Sequence, residues 1–276
     1  MAIKDIVTLL DLNGEQPAAQ VAIEFARQIE AHVTGVSLVL EPIVPGFIAA
    51  PMPADYLQMA HKQAVDAAST ASGAFDRLVE LAGVNGESRQ ETVITGGSLE
   101  PILQQARMTD VVVVGQDNPE QPEPMREVVI ESLLFESGVP TLLVPYISQG
   151  KFSCKNVVVA WDGSPTAARA VHAALPILEM AEKVTIVIVN KGKPVDGEPG
   201  ADLATYLARH NLKVTVDVIT KPPVSVADSL LNYVSENDVD MLVMGGYGHS
   251  RMREYIIGGA TRDILSSMTV PVLMAH

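Results

Sequence analysis

"KNVVVAWDGSP", residues 155–165, runs from an apolar β-branched stretch through an aspartate and a glycine into Ser-Pro. An unbroken apolar run without alternation is the pattern of a strand buried on both faces. Ser-Pro after a turn is a helix start, with serine as cap and proline in the first helical position. Eleven residues thus spell strand, turn and helix. The same sentence stands at the other end of the chain as "KDIVTLLDLNG", residues 4–14. "TDVVVVGQ" (109–116) is echoed by "VDMLVMGG" (239–246), and "GVPTLLVPY" (138–146) by "TVPVLMAH" (269–276). The second and third pairs share one offset to within a residue. The first pair is wider apart because the first half carries extra residues, "EPIVPGFIAAPMPADYL", Glu41–Leu57. A period this long means two domains of one fold rather than a solenoid. The expected domains are 1–147 and 154–276, joined through "ISQGKFS" (147–153).

Within the second half, strands are expected at 156–161, 184–189, 213–219, 241–244 and 270–274. Helices are expected at 165–180, 201–211, 224–237 and 260–267. Alternating β and α elements imply right-handed crossovers and a parallel sheet. Each half is therefore read as a doubly wound, five-stranded α/β domain. Ligands of such sheets sit beyond the carboxyl ends of the strands.

Composition sets the limits. Of 276 residues, 47% are apolar and 19% charged, enough for packed cores and too apolar for disorder. Aromatic residues are 4%, so the cores are built from aliphatic side chains. A net charge of −14 disfavours nucleic acid and anionic membranes as partners but permits one local anion site. With Cys154 the single cysteine, no intramolecular disulfide forms, which fits a reducing cytoplasm. No apolar run approaches a membrane span or a signal peptide. A cytoplasmic protein is expected.

"GGYGHSRMREYIIGGATR", residues 245–262, stands against that acidity with one acid and three arginines. Its glycines follow G-x2-G-x9-G at Gly245, Gly248 and Gly258. Glycine lets a backbone turn through positive φ and lets a ligand approach the N–H groups. A helix starting just past Gly258 and Gly259 would offer free N–H groups and a favourable dipole to an anion. Arg251 and Arg253 lie in the intervening loop. Asp162, at the carboxyl end of the half's first strand, faces the same edge. There it can accept hydrogen bonds from a ribose hydroxyl or an adenine amino group. Phosphate at one end and a hydroxyl-rich group at the other point to a nucleotide.

"VVVAWDGS", "MLVMGGYGHSR", "IIGGATRDIL" and "VPVLM", in that order, resemble the universal stress protein family, in its tandem two-domain form. The resemblance implies strand order 3-2-1-4-5 (the adenine nucleotide α-hydrolase-like fold) and a stress-response sensor or regulator. It also implies ATP or another adenine nucleotide, with Mg²⁺, as cofactor. By the same resemblance, Asp162 and Val189 line the adenosine end. Gly245, Tyr247, Gly248, Gly258, Gly259, Ala260 and Thr261 line the phosphate end. One position departs from the family: Gly259 stands where the ATP-binding pattern has Ser or Thr. That removes one hydroxyl donor, worth about 1 kcal/mol or roughly fivefold in affinity. Thr261 is the nearest substitute.

The first half departs further. After "VVVVG" comes "QDNPEQPEPMREVVIE" (116–131), with five acids and one arginine and no glycine before the last helix. No phosphate site is expected there, so one nucleotide site per chain is. No catalytic or metal-binding constellation is read. The histidines are scattered, Ser164 is a helix cap, Ser98 starts another helix, and Cys154 is an inert linker residue. ATP hydrolysis, if any, would be slow. Two other readings stay open: a protein-interaction scaffold without nucleotide, and a binder of a small apolar ligand through 41–57. The halves are expected to form a pseudo-dimer within the chain, pairing Thr141–Pro145 with Val270–Met274. Homodimerisation and an unnamed protein partner are left undecided.

Overall fold

The apolar runs become strands and the segments between them helices in the computed structural model, which describes residues 2–13, 15–41, 54–192, 197–247 and 259–276. The chain divides into two units. One contains Ile3–Val139 with Gln149–Phe152, and the other contains Pro140–Ser148 with Ser153–His276.

The N-terminal unit holds β1 (Asp5–Leu9), α1 (Pro17–Ile29), β2 (His32–Glu41), α2 (Ala54–Ala82), β3 (Gly86–Ile94), α3 (Glu100–Arg107), β4 (Val111–Gly115) and α4 (Arg126–Glu136). Its strands are parallel in the order β3-β2-β1-β4. Val111–Val114 are all buried, as their unbroken apolar run requires. Helix α2 buries Ala68, Ala71, Phe75 and Val79, one face at helical spacing. Phe75 presses on Gly35 of β2 so closely that an added Cβ would stand 2.7 Å from its ring. Only glycine fits that position. The 41–57 insertion lies outside the described residues, except for Glu41 at the end of β2 and for 54–57, which open α2. Helix α3 starts one residue later than Ser98 predicts. Leu99 is the cap residue, and the Ser98 hydroxyl accepts the Glu100 N–H at 3.2 Å.

The C-terminal unit holds β6 (Asn156–Ala160), α5 (Pro165–Leu178), β7 (Lys183–Asn190), α6 (Ala201–Arg209), β8 (Val214–Thr220), α7 (Val226–Glu236), β9 (Met241–Gly245), α8 (Ala260–Ser267) and β10 (Val272–Ala275). The parallel order β8-β7-β6-β9-β10 is the 3-2-1-4-5 arrangement in full. A sixth strand belongs to the same unit. This is β5 (Thr141–Val144), antiparallel to β10 with Leu142 opposite Leu273. Leu142, Leu143 and Val144 are fully buried.

The expected linker is tied down. Phe152 stacks on Phe25 of α1 with ring centres 4.2 Å apart, and its carbonyl accepts from the Gln28 amide. Cys154 is buried, and its thiol is pushed up to about 11, first by burial and then by Asp240. No helix among the described residues is long and apolar enough to cross a membrane.

Candidate functional site

Among the described residues, the carboxyl edge of the C-terminal sheet comprises the turn after β6, the exit of β9 and the start of α8. After β6, the Trp161 N–H bonds the Val187 carbonyl at 2.9 Å, extending the ladder by one residue. Asp162 is exposed and accepts the Ser164 N–H at 2.9 Å, closing a turn over Gly163, whose φ is +76°. Ser164 then caps α5, accepting the Ala167 N–H at 3.1 Å. Pro165 stands where its missing N–H costs nothing.

Strand β9 ends against that capped helix. A Cβ on Gly245 would lie 2.5 Å from the Ala167 nitrogen and 2.7 Å from Thr166. The fourth strand can leave the sheet here only as glycine. The Gly246 N–H bonds the Ala275 carbonyl at 2.9 Å. Tyr247 follows at φ 44°, a left-handed conformation that L side chains seldom adopt. Its N–H is held at 3.1 Å by the hydroxyl of Thr261, in the first turn of α8.

Helix α8 begins without a side-chain cap. Gly259 is its extended cap residue (φ −108°, ψ 145°), exposed, with open space where a Cβ would go. The first N–H groups of a helix have no α-helical partner within it, so this end carries a positive dipole; the Arg262 N–H turns back to the Gly259 carbonyl at 2.9 Å. Ala260 is half-buried beside it, and Thr261 is buried.

The sequence-predicted residues therefore gather by linked contacts. Asp162 and Gly245 meet through the first turn of α5, and Tyr247 and Thr261 meet directly. Val189 lies on the same edge, on β7, two residues beyond the last β6–β7 pair Ala160–Val187. Gly248 and Gly258 lie outside the described residues, as do Arg251 and Arg253. The sequence reading missed Thr166. It is buried, touches the Gly245 position and places its hydroxyl 3.1 Å from that of Ser164. The Thr261 hydroxyl, expected as the nearest substitute for the missing Ser or Thr, accepts the Tyr247 N–H, which leaves its own proton to donate.

The matching edge of the N-terminal unit is made differently. The Leu10 N–H bonds the Val36 carbonyl at 2.8 Å, as Trp161 bonds Val187, so Asp11 stands where Asp162 does. Its side chain is only 15% exposed and lies 2.5 Å from Nη2 of Arg126, the first residue of α4. The same Nη2 bonds Oε2 of Glu123. The other Glu123 oxygen, Oε1, accepts the Leu12 N–H at 2.5 Å and the Asn13 N–H at 3.3 Å. Asp117 in turn accepts the Glu123 N–H at 3.2 Å. Arg126 is 3% exposed, and its Nη1 has no hydrogen-bond partner. Burial pushes the Asp11 carboxyl up to about 6; Arg126 opposes the shift and Glu123 reinforces it.

A signal for this cluster was present in the sequence. A cation at the first position of a helix opposes the dipole, so Arg126 needs acidic partners nearby. The sequence does not say that Glu123, one of five acids in 116–131, and the distant Asp11 supply them.

Residues 153–276 match the model of the universal stress protein family. A universal stress protein of Synechocystis sp. is 27% identical over 148 residues, covering 52% of this chain and 49% of that protein. The chain thus matches about half the length of that curated relative. The crystal structure of a universal stress protein from Archaeoglobus fulgidus matches 98% of this chain and 95% of its own, with TM-score 0.70 and 15% identity. A functionally unknown protein from Pseudomonas aeruginosa matches 99% and 92%, with TM-score 0.58 and 14% identity. At such identities the structural likeness is one of fold.

Proposed function

We propose that this chain, whose residues 153–276 form a universal stress protein domain, is a cytoplasmic stress-response sensor or regulator that holds one adenine nucleotide at the carboxyl edge of its C-terminal sheet. One observation carries the reading: Thr261 ties the backbone of Tyr247, at positive φ, to the uncapped start of α8. That bond brings the exit of β9 beside the N-terminus of a helix, where the dipole favours phosphate. Asp162, exposed on the same edge, is the acceptor for ribose or adenine. Mg²⁺ would accompany ATP on its phosphates. The consequence of binding is a change of conformation or of protein partner, and hydrolysis is slow or absent.

Calorimetric titration with ATP, ADP, AMP and cyclic AMP tests the reading. The expected result is one site per chain. Gly248→Val should abolish it without lowering the melting temperature, because a β-branched side chain blocks approach to the loop N–H groups. Asp162→Ala should weaken adenosine nucleotides and spare inorganic tripolyphosphate. If none of the four nucleotides binds, the chain is a scaffold and the glycines only turn it. Undiminished binding by Gly248→Val would show that the phosphate end is misassigned.

A further inference from the structure

In the N-terminal unit, four donors converge on one carboxylate or stand beside it. The Leu12 and Asn13 N–H groups both reach Oε1 of Glu123, and Nη2 of Arg126 reaches Oε2. The fourth donor, Nη1 of Arg126, is buried and bonds nothing. Burying a guanidinium nitrogen without a partner is costly, so the arrangement is short of acceptors. A carboxylate offers two oxygens; a tetrahedral oxyanion offers more, spread so that one can face each donor. The donors are also of the right kind, adjacent backbone N–H groups and a two-pronged guanidinium. Among the described residues, the equivalent turn of the C-terminal unit holds no such internal occupant: Asp162 is exposed and accepts from the Ser164 N–H of its own turn.

We infer that the crevice of the N-terminal unit is an oxyanion site for phosphate-like ligands, closed by the chain's own Glu123 carboxylate. Glu123 acts as a tethered ligand. While it is seated, the site needs no outside anion and admits none. An event that draws the 116–125 segment away exposes Leu12 N–H, Asn13 N–H and Nη1 of Arg126 to a phosphate group, while Nη2 keeps its bond to Asp11. The acidic loop is thereby an inhibitor of its own unit as well as a source of long-range repulsion. This site is separate from the nucleotide site proposed at Gly245–Thr261, and the two stand or fall independently.

The test is a titration of the full chain with inorganic phosphate at constant ionic strength, followed by the amide resonances of Leu12 and Asn13. These report the N-terminal crevice whatever happens at the other edge. In wild type they should stay still. In Glu123→Ala they should move, with phosphate bound at least about tenfold more tightly than by wild type. Glu123→Gln keeps the side-chain shape and serves if the alanine variant fails to fold; it should show a smaller gain of the same sign. Adding Arg126→Lys to Glu123→Ala removes the second guanidinium nitrogen and should lose most of that gain. Amides unmoved by phosphate in both Glu123 variants would overturn the proposal. So would wild-type amides that respond as strongly as those of the variants.

Discussion

Asp11 and Asp162 end the first strand of their units at equivalent places, one residue past a backbone bond to the second strand. Asp162 lies open, bonded within its own turn, beside a helix that begins with a bare glycine. Asp11 is largely buried against the arginine that begins the corresponding helix, with Glu123 on the arginine's other side. One scaffold thus gives an edge whose aspartate is exposed and an edge whose aspartate is closed in by the chain's own arginine and glutamate. Net charge per loop does not separate these cases. Five acids from 116 to 131 look like a repelling surface, yet one of them is an internal ligand and the lone arginine is inside.

The largest effect should come from breaking the closed edge. Arg126→Met leaves Asp11 and Glu123 without their shared counter-charge and should cost about 3–5 kcal/mol in urea unfolding of the N-terminal unit. An unchanged midpoint would show the cluster to be wet and loose.

The pH dependence of that edge should come next. The Asp11 carboxyl lies near 6 when folded against an ordinary 3.8, so between those values the folded unit keeps a proton that the unfolded chain releases. Its stabilising contribution is therefore complete below the unfolded value and is lost as pH rises through about 6. Measured against Asp11→Asn, wild type should lose on the order of 2–3 kcal/mol between pH 4 and pH 8. A parallel pair of stability curves would refute the buried assignment.

The open edge should respond to packing. A side chain at Gly245 meets the backbone of α5, so Gly245→Ala should cost about 1–3 kcal/mol and weaken nucleotide binding by shifting Tyr247. At Gly115, the matching position, the nearest obstacle is the Asp11 carboxylate at 3.3 Å, and Gly115→Ala should cost less. Thermal melts of the two variants give the comparison. The smallest effect is a gain. Gly259 has open space around it, so Gly259→Ser should fit and add one donor. Nucleotide should then bind up to about fivefold more tightly, close to 1 kcal/mol.

Much of the fold was legible because its signals are local. Buried strands announce themselves as unbroken runs such as 111–114, and Ser164-Pro165 starts a helix by its own chemistry. The strands of the second half fall within a few residues of their expected places, as do its helices. The strand order came only from family resemblance, since no local property of 213–219 states which edge it joins. At the open edge Asp162, Gly245, Tyr247 and Thr261 were named from sequence. Thr166 was not, because its role comes from the approach of β9 to α5. The Asp11–Glu123–Arg126 cluster joins residues more than a hundred positions apart, a relation that no spacing within either stretch encodes. The 29-residue length of α2 was hidden for another reason: it begins inside the insertion, where proline and small residues blur the helical period.

Strand β5 has a consequence for the chain's birth on the ribosome. Its antiparallel partner β10, Val272–Ala275, starts 131 positions after Thr141. At about 5–20 residues per second, Leu142, Leu143 and Val144 emerge roughly 7–26 s before that partner exists. The C-terminal sheet cannot close until Val272–Ala275 have been made. Through that interval a fully apolar strand waits for its mate, so a nascent chain stalled anywhere short of Val272 should be a substrate for chaperones that capture exposed β-edges.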